Sequence, residues 1–296
     1  MAFNRKVLRI TLTLSGENQS FSTENKNSLS AIGLRASAEI NYGNGSPAPS
    51  ARVKIYGLPI ETADKLLRIK FNSLNGLRDT IVIEAGDQDS ELVPVFKGGI
   101  TFAYPDFGDA PNVALIIESQ TAVLESMAPV DAESYKGYQD VVNIMGQICE
   151  RVGYTLESND VNAKLNDVYL CDTDMKKIRK LADDADLDLY LENNLVAITP
   201  KGQPRKIKIP VISPETGLIG YPTPTMIGVD FKCFFDPLIR FGGIARIKNS
   251  TIERCNGDWL IYGSRSILET EQESARWHME ISAQNLEDSK NVAIKK

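Results

Sequence analysis

Alternation of apolar and polar positions dominates the first 125 residues. Val7–Leu14 and the segment 32–42 both place an apolar side chain at every second position. The stretches ARVKIYGL, DTIVIEAG, VPVFKGGITF and NVALIIESQ continue the strand-like character. Because successive side chains of a strand point to opposite faces, this period predicts half-buried strands. Residues 1–125 are therefore predicted to form a β-domain of about six strands, with one short helix that begins at Pro59.

The period changes in the next segment, residues 126–203. In GYQDVVNIMGQICERVG, apolar residues recur at spacings of three and four, which predicts a helix that ends at Gly153. The residues of this face are Tyr138, Val141, Val142, Met145, Ile148, Cys149 and Val152. DTDMKKIRKLADDADL predicts a second helix with Asp172 or Thr173 as its N-cap, and LDLYLENNLVAIT predicts a hairpin around Asn193-Asn194. A small α/β module is the expected result.

Strand patterns return after Pro204. KIKIPVIS, MIGVDFKCFF, GGIARIKNS, DWLIYGSRSILET and ARWHMEISAQ predict a second β-domain at 204–296, and the final EDSKNVAIKK is predicted to be a loose tail. The predicted fold class is therefore α+β and mainly β. Two β-barrel or sandwich domains, at 1–125 and 204–296, would flank the α/β module at 126–203.

Charge is unevenly distributed along the 296 residues. The whole chain has a net charge of −6, yet residues 126–200 alone hold 7 basic and 14 acidic residues, which leaves the remainder at +1. The module is therefore acidic. The sequence lacks the clustered Lys/Arg residues that bind nucleic-acid backbones, which argues against a nucleic-acid-binding protein. The sequence contains no run of about 18 apolar residues, so it predicts no membrane-spanning helix. Polar residues interrupt the N-terminal strand pattern, so we expect no signal peptide and a cytoplasmic site of synthesis.

Residues with catalytic or metal-binding potential are sparse. The chain has one histidine, His278, which the strand pattern predicts to face solvent, and no phosphate-loop, dinucleotide or nucleophile-elbow motif. The cysteines form no closely spaced pair, so free thiols are expected rather than a zinc site or disulfides. They are Cys149, Cys171, Cys233 and Cys255. We predict no catalytic residue, cofactor or metal, and expect that the protein is not an enzyme.

Three further patterns that could suggest binding sites have ordinary structural interpretations. Asp184, Asp186 and Asp188 resemble the start of a calcium loop, but Leu stands where the loop needs Gly and Glu, which argues against calcium. The basic cluster Lys176–Lys180 is expected to be a solvated helix face with local ion pairs. Trp259 and Trp277 are expected to be core or interface anchors. A sugar-binding platform built on these tryptophans, and a hydrolase hidden in the module, stay open as alternatives.

Several segments, in conserved order along the chain, resemble the baseplate hub proteins of contractile-tailed bacteriophages. GLIGYP (217–222), DPLIRFGGIARI (236–247) and the strand pair from Gly257 to Trp277 are similar to the "GLVGYP", "NPxIRxGGxxxV" and "GxWxVxGxxHxLxS…W" elements of that family. VKIYGL, IVIEAG and VFKGGI resemble strands of its tube-like fold. The segment DTDMKKIRKLADDADLDLYLENNLVAITPKG is similar to the insert of late control D type hubs. Ser264-Arg265-Ser266 replaces a histidine that is common in the family.

The resemblance implies a structural subunit of the tail baseplate in the virion, assembled in the host cytoplasm. Such hubs are homotrimeric rings of pseudo-sixfold symmetry that adapt the hexameric tail tube protein to the trimeric central spike protein. Further baseplate proteins surround them, and phage DNA passes through the lumen. A tail-tip subunit, or a subunit of a phage-derived injection particle, is the alternative within the same context.

Candidate contact residues follow from this resemblance. The candidate subunit interface, for which core packing is the alternative, comprises Tyr221, Phe234, Phe235, Ile239 and Phe241. The acidic residues that could face the lumen and repel DNA, or simply keep an outer face soluble, are Asp183, Asp184, Asp186, Asp188 and Glu192.

Overall fold

The computed structural model describes residues 4–15, 21, 27–43, 48–67 and 78–286. In these ranges the chain is mainly β with a minority of helix, so the predicted α+β class is confirmed. The strands are β1 (Lys6–Thr13), β2 (Ser28–Ile32), β3 (Ala36–Gly43), β4 (Ser50–Tyr56), β5 (Thr80–Asp87), β6 (Val93–Asp106), β7 (Ala114–Gln120), β8 (Glu133–Asp140), β9 (Thr155–Ser158), β10 (Lys164–Leu170), β11 (Leu187–Glu192), β12 (Leu195–Pro200), β13 (Val211–Ile212), β14 (Leu218–Pro224), β15 (Gly228–Phe234), β16 (Ile244–Ile247), β17 (Gly257–Thr270) and β18 (Trp277–Asn285). The helices are α1 (Ile60–Leu66), α2 (Val123–Met127), α3 (Val141–Val152) and α4 (Asp174–Asp184).

The chain divides into two compact units. Unit 1 takes in the described residues of Met1–Asn41, Ala48–Leu124 and Arg265–His278. Unit 2 takes in those of Tyr42–Pro47, Glu125–Ser264 and Met279–Lys296. Each unit therefore combines segments that are distant in sequence.

Unit 1 is built on an antiparallel sheet with the strand order β3–β4–β7–β6–β5–β1–β2. In β1 the side chains of Leu8, Ile10 and Leu12 are buried, whereas the residues between them are half-buried. This is the alternation that the sequence predicts for a sheet with one face on the core. Helix α1 follows Pro59, as predicted.

Unit 2 contains the acidic α/β module. Helices α3 and α4 pack on each other, on the three-stranded sheet β11–β12–β9 and on the ribbon β8–β10. Helix α3 begins after Asp140, whose carboxylate accepts hydrogen bonds from two amides of the first turn, and it ends at Gly153 with φ +77°. The predicted hairpin is confirmed: Glu192 pairs with Leu195 across the Asn193-Asn194 turn.

The start of the first predicted helix is wrong by several residues. Tyr138 lies in strand β8 and its side chain is 80% exposed, although its spacing matches the apolar face of α3. The capping carboxylate of Asp140 fixes the helix start, and a strand precedes it. The predicted tail EDSKNVAIKK (287–296) lies outside the described residues.

The C-terminal part of unit 2 contains the conspicuous apolar segment. β14 pairs with β15, and β15 lies beside β18. The buried core of this region comprises Ile212, Val229, Phe231, Cys233, Ile239, Ala245, Ile247, Cys255, Ile261, Met279, Ile281 and Ala283. The outward face of the β14–β15 hairpin is the part of the unit with the most exposed apolar residues.

Candidate subunit interface

Three hydrogen bonds hold the tip of the β14–β15 hairpin. The amide of Thr225 donates to the carbonyl of Gly228 at 2.8 Å, and the amide of Gly228 donates to the hydroxyl of Thr225 at 3.0 Å. The amide of Asn285 in β18 donates to the carbonyl of Ile227 at 3.2 Å. A Cβ at Gly228 would lie 2.1 Å from the carbonyl oxygen of Ala283, so only glycine allows this close approach of β15 to β18. The tip is a defined structure rather than a loose loop.

A β-bulge in the hairpin changes the direction of one aromatic side chain. The register between β14 and β15 shifts between Ile219 and Thr223. Gly220 within this shift has φ +71°, a conformation that glycine adopts without strain. The neighbouring Tyr221 is 68% exposed. Local backbone geometry therefore presents the Tyr221 ring to solvent.

The outward face of the hairpin presents large apolar side chains beside two charged residues of β15, Asp230 and Lys232. In β15, Val229, Phe231 and Cys233 are buried, and the alternation leaves Phe234 outside with 51% of its surface exposed. Met226 is fully exposed at the tip, and Ile227 beside it is half exposed. We call Tyr221, Met226, Ile227 and Phe234 the hairpin patch. An apolar surface with aromatic and Met side chains is typical of protein–protein contacts.

The predicted interface residues separate into two groups. Tyr221 and Phe234 belong to the hairpin patch. Ile239 is buried in the core of unit 2, and Phe235 packs partly against the same core. The Phe241 ring makes an edge contact with the Tyr190 ring, with the centroids 5.0 Å apart. Core packing, the alternative interpretation, describes the latter three residues better.

The predicted acidic residues also separate. Asp183, Asp184 and Asp186 are exposed at the C-terminal end of α4 and after it, and Asp184 accepts a hydrogen bond from Lys180 at 2.6 Å. Asp188 is half-buried between the Lys201 ammonium, at 2.8 Å, and the amide of Gly202. The hydrogen bond from Lys201 to Asp188 raises the pKa of that lysine, and the charges of Asp186 and Asp183 add to the effect. Asp183, Asp184 and Asp186 are therefore accessible to a partner or to solvent, and Lys180 partly compensates the charge of Asp184.

Glu192, the fifth acidic residue, is buried in an ion-pair cluster that the sequence analysis missed. The fully buried guanidinium of Arg205 donates to Glu192 at 2.8 Å and to both oxygens of Glu157 at 2.9 Å. Arg240 also pairs with Glu192. The hydrogen bond from Arg205 lowers the pKa of Glu157 to about 2 despite its partial burial. Glu192 is compensated within the unit, so we exclude it from the acidic surface.

A second ion-pair cluster corrects the prediction of a fully solvated basic helix face. Lys176 and Lys180 make the expected local pairs, but the side chain of Lys177 is fully buried. Its ammonium donates to Glu133 at 2.7 Å and to the carbonyl of Asp131 at 2.5 Å. The spacing of three from Asp174, and the adjacent Ile178, place Lys177 on the inner face of α4.

Burial and hydrogen bonding compete at the centre of this second cluster. Burial by itself raises the pKa of Glu133, but hydrogen bonds from Lys177, Tyr135 and Arg151 outweigh it and lower the pKa to about 2. Arg151 also pairs with the buried Asp174. Charged side chains of β8, α3 and α4 are thus joined inside the module, where they stabilise it rather than face a partner.

Two further residues of the sequence analysis, His278 and Trp259, have different outcomes. His278 is buried, so the prediction of a solvent-facing histidine is wrong. The Trp259 indole N–H donates to the carbonyl of Cys255 at 2.8 Å, and the ring packs partly against the core of unit 2. This arrangement is an anchor in the sense that the sequence predicts.

Every helix in the described ranges is too short or too polar to cross a membrane.

The fold is similar to those of known tail proteins. The crystal structure of the 43 kDa tail protein of prophage MuSo2 from Shewanella oneidensis matches with a TM-score of 0.63 at 10% identity, over 94% of this chain and 97% of that one. A tail protein from Neisseria meningitidis MC58 matches with a TM-score of 0.60 at 8% identity, over 95% and 99%. An Escherichia coli component of the type VI secretion system matches with a TM-score of 0.56 at 9% identity, over 85% and 73%. At these identities the similarity establishes the fold.

Sequence comparison identifies the family. No curated protein matches the chain. The family model described as "Baseplate hub gp41" matches residues 7–273, which is most of the sequence. The match includes both units and the β14–β15 hairpin. The chain therefore belongs to the baseplate hub gp41 family of structural, virion-associated phage tail proteins.

Proposed function

We propose that the chain is the subunit of a homotrimeric hub ring in a contractile phage tail. Each chain contributes two tube-like domains, 1–125 and 204–296, on either side of the module 126–203. The ring has pseudo-sixfold symmetry and joins the hexameric tail tube protein to the trimeric central spike protein. Other baseplate proteins surround it, and DNA leaves through its lumen. The role is structural, without a catalytic site.

The hairpin patch is the observation that best supports this proposal. Tyr221, Met226, Ile227 and Phe234 lie on one hairpin, and the exposed fraction of each is above one half. A subunit that stayed monomeric would keep this apolar area in water, whereas a closed ring buries such surfaces between subunits. The rigid tip reduces the entropy cost of association, because little of the hairpin has to be ordered on contact.

The acidic end of α4 supports a finer proposal about the lumen. Asp183, Asp184 and Asp186 are exposed within four residues at the C-terminal end of α4 and would give the ring a negative field if that end faced inward. Such a field would repel the phosphate backbone of passing DNA and prevent it from sticking. Asp188 adds less, because Lys201 compensates its charge.

Co-expression with a candidate spike protein, followed by electron microscopy of the purified complex, tests the proposed ring. We expect a ring with three copies of the chain, pseudo-sixfold projections and a central channel. The three exposed aspartates should line that channel. A complex of another stoichiometry, or a chain that never joins the spike, would contradict the adapter role, and aspartates on the outer rim would refute the lumen proposal alone.

A phage-derived injection particle is the second candidate context. It is favoured by the structural similarity to the Escherichia coli component of the type VI secretion system. The same ring would then join a tube and a spike without DNA passing through it. Purified particles with a tube and spike but without packaged DNA would identify this context.

A further inference from the structure

The tip of the β14–β15 hairpin has the form of an apolar knob. Met226 is fully exposed, with a relative exposure of 104%, and Ile227 is 53% exposed. The backbone beneath them is fixed by the contacts of Thr225 and Gly228. Between Gly217 and Phe231 the sequence has a single charged residue, Asp230, which is exposed on β15 close to the tip. A knob of this kind needs an apolar recess with a basic rim.

Unit 1 contains a recess of that description. A cavity of about 270 Å³ opens at its surface, at the edge of the sheet where β1 and β2 pair. Its apolar lining comes from Val7, Leu8, Ile32 and Leu92, and its rim contains the guanidinium groups of Arg5 and Arg9. Because water occupies about 30 Å³ per molecule in the liquid, this space can accept a side chain of the size of Met or Ile.

The charges of the recess complement those of the knob. Arg5 pairs with Glu271 at 2.6 Å, and Arg9 is only loosely paired with Glu84 at 3.4 Å. Both arginine side chains are partly exposed, and Glu271 is the only acidic residue among the lining residues that the structure describes. The lining therefore has a net positive charge, and Asp230 is the opposite charge that the knob would bring to it.

We propose that the hairpin tip of one copy inserts into the unit 1 cavity of a second copy. This inference rests on the proposed ring and names one contact that closes it. The two surfaces differ, so the contact is heterologous: each chain donates one knob and accepts one. Such contacts generate a closed ring when the rotation between neighbouring subunits is a whole-number fraction of 360°. In the proposed trimer, three copies close the ring. Ile32, which is half exposed at the cavity, is covered in the process.

Disrupting the knob gives the first test. In the double variant Met226→Asp/Ile227→Asp, we expect the trimer to dissociate to monomer in light scattering, because two carboxylates would have to enter an apolar cavity. The matched control is Ile60→Asp, since Ile60 in α1 is 60% exposed and does not line the cavity. This control should remain trimeric. Circular dichroism of the monomeric variant should be unchanged.

Disulfide trapping gives the second test and does not depend on how strongly the subunits associate. In a Cys171→Ser background, which removes the exposed native thiol, the pair Ile227→Cys/Ile32→Cys should form covalent multimers up to the trimer under mild copper–phenanthroline oxidation. The pair Ile227→Cys/Ile60→Cys should not. Non-reducing gels read out both variants.

The outcomes separate this contact from the ring itself. A trimer that persists in the Asp double variant, or multimers that fail to form with the Ile32 thiol, would overturn the knob-and-cavity contact and leave the ring intact. A double variant that remains trimeric and only loses its spike would assign the knob to the spike instead. A wild-type chain that is monomeric with and without the spike would refute the ring and, with it, the contact.

Discussion

The α/β module and the β14–β15 hairpin use their conspicuous residues in opposite ways. The module has most of the net negative charge, yet its ion-pair clusters turn much of that charge inward: Arg205 binds Glu157 and Glu192, and Lys177 binds Glu133. The hairpin has only two charged residues, Asp230 and Lys232, and turns large apolar side chains outward. The residues of the module therefore contribute to the stability of the unit, and those of the hairpin patch remain available for association.

This difference shows that an unusual composition does not by itself identify a contact surface. Glu192 was predicted to face a lumen, but it pairs with two arginines inside unit 2. Phe241 was predicted to face a neighbouring subunit, but its ring packs on Tyr190. In both groups the exposed members are those that local geometry directs outward. The bulge at Gly220 and the alternation of β15 do this for Tyr221 and Phe234.

The largest effect on stability is expected when Arg205 is replaced. Arg205→Ala leaves Glu157 without its arginine and Glu192 with Arg240 alone, so we expect a cost of about 3 kcal/mol in the free energy of unfolding, the lower end of the range for a broken buried pair. Urea unfolding of the purified variant measures it. Lys206→Ala is the neighbouring control, because both partners of the Lys206–Asp160 pair are mostly exposed and its loss should change little. A loss below about 1 kcal/mol for Arg205→Ala would contradict the stabilising role of the cluster.

A smaller loss is expected for Lys177→Ala. Glu133 keeps the hydrogen bonds from Tyr135 and Arg151, so the cost should be about 2–3 kcal/mol, at or below the range for a broken buried pair. Lys176→Ala on the solvent side of the same helix breaks an exposed i,i+4 pair and should change the free energy of unfolding far less. Equal effects of the two variants, in the same urea experiment, would show that burial of Lys177 is unimportant.

Acidification should weaken the module between about pH 4.5 and pH 2. The folded-state pKa values of Glu133 and Glu157, both about 2, lie below the ordinary value of 4.5, so the unfolded chain binds more protons in this window. Their contribution is present above pH 4.5 and is lost as the pH falls, by about 2 kcal/mol or less for each carboxyl group. Urea unfolding at several pH values, with Glu157→Gln for comparison, measures the slope. An identical slope in the variant would exclude Glu157 as a source.

The smallest effect on stability is expected in the hairpin patch. Tyr221→Ser and Phe234→Ser remove side chains of which more than half is already in water, so the free energy of unfolding of the monomer should change by about 1 kcal/mol or less. The same variants should weaken self-association, which sedimentation velocity at several concentrations detects. Strong destabilisation without a change in association would make the patch part of the core.

Elements with a local signal were predictable from the sequence. Period-two strands such as β1, the end of α3 at Gly153 and the Asn193-Asn194 hairpin all follow from side chains within a few residues of one another. The Arg205 cluster joins residues 13 to 48 positions apart, and no local period marks such contacts. Burial of Lys177 did have a signal, since it lies one turn before Leu181 on the apolar face of α4.

The direct test of the hub proposal is the molar mass of the purified chain in solution. Size-exclusion chromatography with multi-angle light scattering should give about 98 kDa, three times the 32.7 kDa of one chain. A species of 32.7 kDa that persists at high concentration and in the presence of a co-expressed spike protein would contradict the trimeric hub.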